Sequence, residues 1–289
     1  MSNSIIRDKL DRGEFFLAPG IHDMMADVIA NKVGFEIVYG TGYWMTASAY
    51  GLPDAGIATY SQMLDRVSTL ARTSDAAVIA DADTGYGGLL NVHHTVQGYE
   101  EAGITAIQIE DQEFPKKCGH TPGKKCVPLE IMTDKIKVAC DARKDKKNTL
   151  IVARTDIYQA EGFDASIRRG AAFAEAGADI IFVEALTSED EMRRACDEID
   201  APMISNMAQG GDTPMRTGEE LADIGYACAI YPATTALSAA YATEQALLHL
   251  KHQGTNESPD VPMFDFQEFD RLIGFEEVWA FDKKWARDD

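Results

Sequence analysis

The sequence predicts a closed barrel of eight parallel β-strands, each followed by an α-helix. Short apolar runs recur eight times along the 289 residues, and the segments between them carry apolar residues at three- and four-residue steps. A unit in which a helix stops, a Gly follows and a strand begins is also repeated, most clearly at 101–111 and 175–185. Repeated βα units of this kind favour a closed (β/α)8 barrel of the TIM type over an open sheet.

The eight apolar runs are the predicted strands. Their nearly unbroken content of Val, Ile, Ala and Phe is typical of parallel strands that are buried on both faces. The connections between them are long enough to hold a crossover helix. In chain order the predicted strands are 15–19, 35–40, 77–83, 106–111, 150–156, 179–185, 202–206 and 227–232.

Amphipathic stretches between the runs predict helices, among them 61–74, 165–177, 188–199 and 236–252. A polar linker follows, and we expect it to separate a catalytic barrel domain, 1–252, from a C-terminal segment, 253–289, that serves oligomerisation. The segment ends in an amphipathic helix whose apolar surface exceeds what one domain edge needs, so it is predicted to pack on a partner subunit. The alternative is that it closes its own barrel. Its aromatic residues are Phe264, Phe266, Phe269, Phe275, Trp279, Phe281 and Trp285.

Composition excludes several classes of partner. A formal net charge of −20 argues against nucleic acid and anionic membranes, which select basic surfaces. The sequence starts without the apolar region of a signal peptide, and no apolar run approaches the roughly 20 residues of a membrane span. Five scattered cysteines with no CxxC pair are typical of a reduced compartment. We therefore expect a cytoplasmic protein without disulfides.

Polar residues end most of the predicted strands. In a (β/α)8 barrel the functional residues come from the C-terminal ends of several strands, so these side chains are expected at one mouth. A helix cap or a turn explains any one of them alone. Together they favour a ligand site, because unpaired polar groups at a barrel mouth are costly. They are Tyr39, Thr41, Asp81, Asp83, Glu110, Asp111, Arg154, Asp156, Glu184, Asn206 and Tyr231 with Pro232.

The acids among these residues predict a divalent cation. Asp81, Asp83, Glu110 and Glu184 offer oxygen ligands without the Cys or His set of a zinc site, which favours Mg²⁺ with Mn²⁺ as an alternative. An anionic substrate then needs the cation and Arg154 to offset the acids, and the backbone amides of the Gly-rich turn 39–43 can hold a carboxylate. Such a cation stabilises an enolate as charge develops on a substrate oxygen.

The loop at 112–130 is predicted to be an active-site lid, because it is long, rich in Gly, Pro and Lys, and follows the fourth strand. Lys116, Lys117 and His120 are expected to lower the thiol pKa of Cys118, which makes it a proton donor or acceptor near neutral pH. The alternative is an incidental surface thiol in a solvated charge run.

Six motifs together resemble the isocitrate lyase and phosphoenolpyruvate mutase superfamily: "GLPDAG" (51–56), "DADTGYG" (81–87), "IEDQ" (109–112), "KKCGH" (116–120), "ARTD" (153–156) and "NMAQGGDTP" (206–214). The resemblance spans about residues 15–250, and the Cys-containing motif is specific to the carbon–carbon lyase branch. It implies a Mg²⁺-dependent lyase that cleaves a di- or tricarboxylate of the 2,3-dialkylmalate or 2-methylisocitrate type. It also implies a homotetramer whose subunits exchange a C-terminal helix.

The resemblance further implies roles for matching residues. Asp83 is the implied metal ligand, and water molecules on the metal are held by Asp81, Asp54 and Glu110. The implied substrate contacts are Thr41, Gly42, Tyr43, Gly119, Glu184, Asn206, Thr213 and Pro232. The implied catalytic group consists of Cys118 as acid/base, with Lys117, His120, Tyr39 and Arg154. The base that deprotonates the substrate hydroxyl stays open between Tyr39 and a metal-bound water.

Two departures from the family pattern bear on the substrate. Gln209 stands where many lyases of this branch carry an acid, and the carboxylate turn reads "GTGYW" instead of opening with Ser-Gly. The chain is also too short for a full isocitrate lyase. A short-chain lyase is the favoured function, with an oxaloacetate hydrolase and a carbon–phosphorus enzyme of the same superfamily as alternatives. A further class of function is that of a barrel which has lost catalysis and serves as a binding or structural protein.

Overall fold

Eight parallel strands form one sheet in the computed structural model, which describes residues 4–119, 121, 123–257 and 260–286. The order of strands is β6-β5-β4-β3-β2-β1-β8-β7. The ring is completed where Ile181 bridges Met203 and the amide of Ile181 donates to the carbonyl of Pro202 at 2.9 Å. The predicted barrel is therefore confirmed. The strands are β1 (Phe16–Ile21), β2 (Ile37–Gly40), β3 (Ala77–Asp81), β4 (Ala106–Glu110), β5 (Leu150–Thr155), β6 (Ile180–Val183), β7 (Ile204–Asn206) and β8 (Cys228–Tyr231).

Helices fill the connections between strands, as the helical periodicity predicts. Several begin at a capping residue: the Thr59 hydroxyl accepts from the amide of Gln62, and Ser188 does the same for Glu191. The helices are α1 (Ile5–Asp11), α2 (Met24–Val33), α3 (Gly42–Tyr50), α4 (Tyr60–Thr73), α5 (Leu89–Glu101), α6 (Leu129–Ala142), α7 (Tyr158–Glu161), α8 (Phe163–Glu175), α9 (Glu189–Glu198), α10 (Gly218–Ile224), α11 (Thr234–Gln253), α12 (Phe266–Leu272) and α13 (Phe275–Trp285). None of those described combines the length and the apolar composition that crossing a bilayer requires.

The two-residue period of the strands separates two apolar cores. Side chains of one parity point outward and pack under the helices, where Val38, Val78, Ile107 and Ile151 are buried. Those of the other parity fill the barrel interior, and Ile6 of α1 joins this cluster. The inward residues in the cluster are Phe16, Ala18, Ile37, Tyr39, Ala77, Ile79, Ala106, Leu150, Val152, Ile180, Phe182, Ile204, Cys228 and Ile230.

The same inward parity changes from apolar to polar toward the C-terminal ends of the strands. On β4, Ala106 is followed at two-residue steps by Gln108 and Glu110. On β5, Leu150 and Val152 lead to Arg154. Since alternate residues share a face, the apolar interior and the polar mouth lie on one continuous inner surface. The fold therefore brings polar ends of several strands to a common site.

The described residues divide into two compact units, one ending at Ala236 and one starting at Leu237, so α11 begins in the first unit and continues into the second. The expected domain boundary after residue 252 stays a prediction. The C-terminal tail differs from the single helix expected from sequence. It forms α12 and α13, separated at Gly274, whose φ of +95° lies in the left-handed region that interrupts a helix.

Candidate active site

A cavity of about 210 Å³ opens at the C-terminal ends of the strands. This volume is below the range typical of drug-sized ligands and suits a small organic acid. Twelve of the residues predicted for the site line it: Tyr39, Thr41, Tyr43, Asp54, Asp81, Glu110, Cys118, Gly119, Arg154, Glu184, Asn206 and Pro232. Residues from distant parts of the sequence therefore converge, as the strand-end pattern predicts.

Other predicted residues lie beside the cavity or away from it. A Cβ on Gly42 would be 2.7 Å from Oδ2 of Asp81, so the start of α3 can approach that carboxylate only with a glycine. Lys117 is exposed and donates to the carbonyl of Gly123 at 3.3 Å, and Thr213 is buried without lining the cavity. Neither Lys117 nor Thr213 therefore lines the cavity. His120 lies outside the described residues.

Asp83 does not itself line the cavity but forms an ion pair with Lys116, which does. The Lys116 ammonium is 2.8 Å from Oδ1 of Asp83 and 2.5 Å from Oδ1 of Asp54, and its side chain is only 3% exposed. Sequence reasoning placed Lys116 beside the Cys118 thiol as a source of positive charge. In the structure the ammonium instead neutralises two acids. Its buried ion pairs stabilise the site only as a set, because each charge depends on its partners for solvation.

The backbone around Asp83 is held in a rarely adopted conformation. Its φ of +49° is in the left-handed region, and its amide donates to Oδ1 of Asp81 at 2.9 Å. The Asp83 carbonyl accepts from the amide of Glu110 at 2.9 Å. Burial raises the pKa of Asp83 to about 6, with Lys116 acting in the opposite direction. Strain of this kind is concentrated at functional sites, where the surrounding structure must enforce it.

The carboxylates fit a divalent cation that is bound partly through water. Oε1 of Glu110 is buried and has no hydrogen-bond partner among the described residues, and burial raises the pKa of this carboxyl well above its usual range. Four carboxylates and two cationic side chains line the cavity, which leaves an excess of negative charge. Among the described residues no three His, Cys, Asp or Glu side chains converge as a ready-made cage. This donor set suits Mg²⁺, which keeps several of its waters.

Arg154 is surrounded by acids from three strands or their ends. Its Nε and Nη2 donate to the two carboxylate oxygens of Asp156 at 3.0 and 2.9 Å. Nη2 is also 3.1 Å from Oε2 of Glu184, and Nε is 3.6 Å from Oε2 of Glu110. The guanidinium lies over the Phe182 ring, 4.9 Å from its centroid. These contacts fix the orientation of Arg154 toward the cavity before any ligand binds.

Glu184 is oriented by groups on both sides. Oε1 accepts from the amide of Ala185 at 2.9 Å, and Oε2 accepts from Nδ2 of Asn206 at 3.0 Å. Ala185 has a φ of +64°, an uncommon value for a residue with a Cβ, which allows its amide to face the carboxylate. Glu184 and Asn206 therefore form one polar wall of the cavity next to Arg154.

Tyr39 belongs to a hydrogen-bond chain that sequence reasoning missed. Its hydroxyl donates to Oε1 of Gln108 at 3.2 Å, and Nε2 of Gln108 donates to Oδ1 of Asp81 at 3.4 Å. Burial, reinforced by the charge on Asp81, raises the pKa of Tyr39 well above its usual range. A neutral phenol is therefore favoured at this position. The inward parity of Gln108, two residues before Glu110, was the signal that could have revealed it.

Cys118 and Gly119 bring the loop after β4 over the cavity. A Cβ on Gly119 would collide with Nη2 of Arg154 and would lie 3.1 Å from Oε2 of Glu184, so only glycine permits this approach. The base of the loop is tied by an antiparallel bridge between Gln112 and Cys126. Cys118 forms no disulfide. The structure thus brings the predicted acid/base residue to the same space as the carboxylates and Arg154.

Seven further residues that line the cavity carry no charge. Sequence reasoning did not assign them to the site, although Gln209 was noted as a departure from the family pattern. Apolar walls beside buried ionic groups can accommodate a carboxylic acid that carries alkyl substituents. The additional lining residues, apart from Lys116, are Trp44, Ala208, Gln209, Gly210, Gly211, Ile230 and Ala233.

Comparison with known sequences finds related enzymes over most of the chain. The model of the phosphoenolpyruvate phosphomutase family matches residues 6–251. The chain is 40% identical to 2,3-dimethylmalate lyase of Eubacterium barkeri over 281 residues, which cover 97% of each protein. It is 42% identical to 2-methylisocitrate lyase of Halalkalibacterium halodurans over 269 residues, which cover 93% of this chain and 88% of that protein.

Solved structures share the whole fold. An oxaloacetate acetylhydrolase in complex with 3,3-difluorooxalacetate superposes with a TM-score of 0.92 at 28% identity, covering 98% of this chain and 96% of that one. A phosphonopyruvate hydrolase in complex with oxalate and Mg²⁺ superposes with a TM-score of 0.88 at 29% identity, covering 99% and 100%. These similarities extend beyond the barrel to nearly the full length of the chain.

We expect Lys116→Met to destabilise the protein in the presence of a metal chelator. The substitution keeps the length of the side chain but leaves Asp54 and Asp83 buried without their cation, a loss that typically costs about 3 kcal/mol or more. Urea unfolding followed by circular dichroism measures the change. Lys117→Met is the matched control, because the neighbouring lysine is exposed and its removal should change stability by no more than about 0.5 kcal/mol. Equal effects of the two substitutions would contradict the assigned role of Lys116.

Proposed function

The chain belongs to the phosphoenolpyruvate phosphomutase family as a carbon–carbon lyase, and we propose that it cleaves a 2-hydroxy di- or tricarboxylate with Mg²⁺. The proposed substrates are of the 2,3-dialkylmalate or 2-methylisocitrate type, and the products are an α-keto acid and a second carboxylic acid. One observation carries the proposal. The Cys118–Gly119 segment lies over Arg154 and Glu184 in a small cavity lined by carboxylates. The names of the relatives from E. barkeri and H. halodurans support the substrate class.

Several polar groups are available to bind the substrate. Arg154, held by its acids, would contact substrate oxygens through the part of its guanidinium that faces the cavity. Thr41 precedes α3 and its side chain makes no capping hydrogen bond, so the first amides of that helix, including those of Gly42 and Tyr43, can bind a carboxylate. Glu184 and Asn206 would line the side of the second carboxylate, with Gly119 and Pro232 closing the space around it.

The acids account for the proposed metal requirement. Asp83 would hold Mg²⁺, with Asp81, Asp54 and Glu110 holding its waters, and the bound ion would stabilise negative charge that develops on the α-keto acid oxygens. The unpartnered Oε1 of Glu110 and the excess of carboxylates over cationic side chains support this assignment. The phosphonopyruvate hydrolase with bound Mg²⁺ supports it by analogy.

The proposed cleavage step uses these groups. A base removes the proton of the 2-hydroxyl, the C2–C3 bond breaks, and the oxygen forms the carbonyl of the α-keto acid. The electron pair of the broken bond passes to C3 and its carboxylate. Cys118 donates a proton to C3 and is reprotonated before the next turnover. The raised pKa of Tyr39 disfavours it as the hydroxyl base and favours it as a hydrogen-bond donor.

The function is tested with a panel of substrates. We expect pyruvate from 2,3-dimethylmalate or 2-methylisocitrate in the presence of Mg²⁺, measured by NADH oxidation with added lactate dehydrogenase, and none after chelation by EDTA. Oxaloacetate and phosphonopyruvate are included. Formation of oxalate and acetate from oxaloacetate alone would favour the hydrolase, which the fold similarity to oxaloacetate acetylhydrolase makes the second candidate. Turnover of phosphonopyruvate alone would refute the lyase function.

We expect Cys118→Ser to reduce kcat by about a hundredfold or more, because an alcohol is a much weaker acid than a thiol at this position. The substitution should preserve the loop geometry, so the melting temperature and the affinity for Mg²⁺, both measured by calorimetry, should be nearly unchanged. Cys140→Ser is the control, since this thiol donates to the carbonyl of Gly177 at 3.1 Å on the outer surface of the barrel. A large fall in melting temperature for Cys118→Ser would identify a packing residue instead.

We also propose that the C-terminal segment packs on a partner subunit in a homotetramer. Several of its large apolar side chains are exposed in the single chain, and an apolar surface of this kind is typical of interfaces. Phe266 is 77% exposed, and Trp279, Phe281 and Trp285 on α13 are 51%, 63% and 65% exposed. Oligomers of identical chains usually close with point symmetry, which a tetramer satisfies.

Light scattering after size-exclusion chromatography tests this assembly. The full chain should elute with about four times the chain mass of 31.6 kDa. The double substitution Trp279→Glu and Phe281→Glu should shift the mass downward, because it places charge in the proposed interface. Lys283→Glu, an exposed polar position on the same helix, is the control. A monomeric parent protein would refute the tetramer.

A further inference from the structure

We propose that Lys124 is a positioning residue that ties the loop segment carrying Cys118 to the arginine of the site. The inference rests on the proposed role of Cys118 as a proton donor and adds the group that holds this donor in place. Neither Lys124 nor Asp156 lines the cavity, so they act through other residues. The connection runs from Lys124 to Gly119 on one side and through Asp156 to Arg154 on the other.

Lys124 is buried, as is Lys116, which distinguishes it from the other two lysines of the loop. Its side chain is only 3% exposed, whereas Lys117 and Lys125 are exposed. A lysine gives up its hydration only where other groups replace it. The ammonium of Lys124 donates to the carbonyl oxygen of Gly119 and is 3.3 Å from Oδ1 of Asp156. It therefore bridges the backbone next to Cys118 and a buried carboxylate of the barrel.

Asp156 connects this bridge to the cavity. The oxygen that Lys124 contacts, Oδ1, also accepts from Nη2 of Arg154 at 2.9 Å. The other oxygen accepts from Nε of Arg154, and the Asp156 amide donates to Oδ1 of Asp111 at 2.9 Å. Burial alone would raise the pKa of Asp156, but Arg154 and Lys124 together lower it. The carboxylate is thus a fixed, charged anchor shared by the loop lysine and the site arginine.

The anchor sets the distance between the loop and the site. Gly119 lies so close to Arg154 and Glu184 that a Cβ would collide with the guanidinium. The Gly119 carbonyl is the atom that Lys124 holds, and Cys118 precedes it directly in the chain. Without the ammonium this carbonyl loses its donor, and the segment loses its tie on the C-terminal side of Cys118. On the N-terminal side the Gln112 side chain still holds the backbone of Lys117. The substrate contacts of Arg154 remain, because Asp156 and Glu184 still orient its guanidinium.

The expected defect is therefore in the chemical step. A Lys124→Met variant should bind substrate almost as well as the parent, with KM changed by less than about threefold. Its kcat should fall by about tenfold or more, the factor expected when one charge-assisted hydrogen bond no longer holds the donor in place. Lys124→Arg, which retains the charge and several donors, should restore kcat to within about threefold of the parent.

A measurement without substrate separates this inference from the proposed function. Iodoacetamide alkylates the Cys118 thiol, and peptide mass spectrometry gives the rate for each cysteine separately. We expect Lys124→Met to raise the rate at Cys118 by about tenfold because the segment loses its tie at the Gly119 carbonyl. Lys125→Met, which removes an exposed lysine at the next position, should leave the rate at the parent value. Alkylation of the fully buried Cys228 reports unfolding in the same sample.

Each outcome of the alkylation experiment decides the inference. A faster rate at Cys118 in Lys124→Met, restored in Lys124→Arg and absent in Lys125→Met, supports it whether or not the chosen acids are cleaved. An unchanged rate at Cys118 in a Lys124→Met protein whose Cys228 stays protected overturns it, even if the parent is an active lyase. If Lys124→Met exposes Cys228, Lys124→Gln, which keeps a hydrogen-bond donor without the charge, replaces it. Loss of the charge should still raise the rate at Cys118, and an unchanged rate with Cys228 protected overturns the inference.

Discussion

Arg154 contacts carboxylates that come from the ends of three neighbouring strands, and the arrangement of the site depends on this cluster. Glu110 ends β4, Asp156 follows β5 and Glu184 follows β6, all within 3.6 Å of the guanidinium. In a low-dielectric interior, a charge of either sign is stable only when its partners are in place. The strand register of the barrel supplies them, because Glu110 pairs with Arg154 across the β4–β5 ladder. The position of Arg154 is therefore a property of the barrel itself.

The loop after β4 completes the balance of charge. The barrel contributes more acids than bases to its mouth, and two lysines of the loop, Lys116 and Lys124, are buried against those acids. The exposed Lys117 and Lys125 of the same loop make no comparable ion pair among the described residues. In sequence, Cys118 lies between these two lysines. Their attraction to the acids therefore favours the loop position in which Cys118 lines the cavity. A divalent cation bound near Asp54 and Asp83 would change the balance of charge around Lys116.

Much of the fold and part of the site were predictable from the sequence, for a physical reason. The periodicity of apolar residues predicts strands and helices. Because the strands of the barrel are parallel, their C-terminal ends lie at one mouth, so residues such as Glu110, Arg154 and Glu184 could be grouped from the sequence. The ion-pair partners of a loop lysine depend on the path of the loop across the barrel, which local sequence patterns do not determine. Sequence reasoning therefore placed Lys116 beside the thiol instead of beside Asp54 and Asp83. Thr213 lay in a recognisable motif but does not line the cavity. The break at Gly274 was overlooked because a single glycine is tolerated in many helical patterns.

The polar wall formed by Glu184 and Asn206 lies at the junction between β6 and β7. The barrel is joined there by the Ile181–Met203 bridge, and β7 is the shortest strand. Glu184 and Asn206 lie on opposite sides of this junction and are hydrogen-bonded to each other at 3.0 Å. A carboxylate ligand that contacts both side chains would lie across this junction, where a single bridge pairs the two neighbouring strands. Ligand binding in the cavity would then reinforce the β6–β7 junction by linking Glu184 to Asn206.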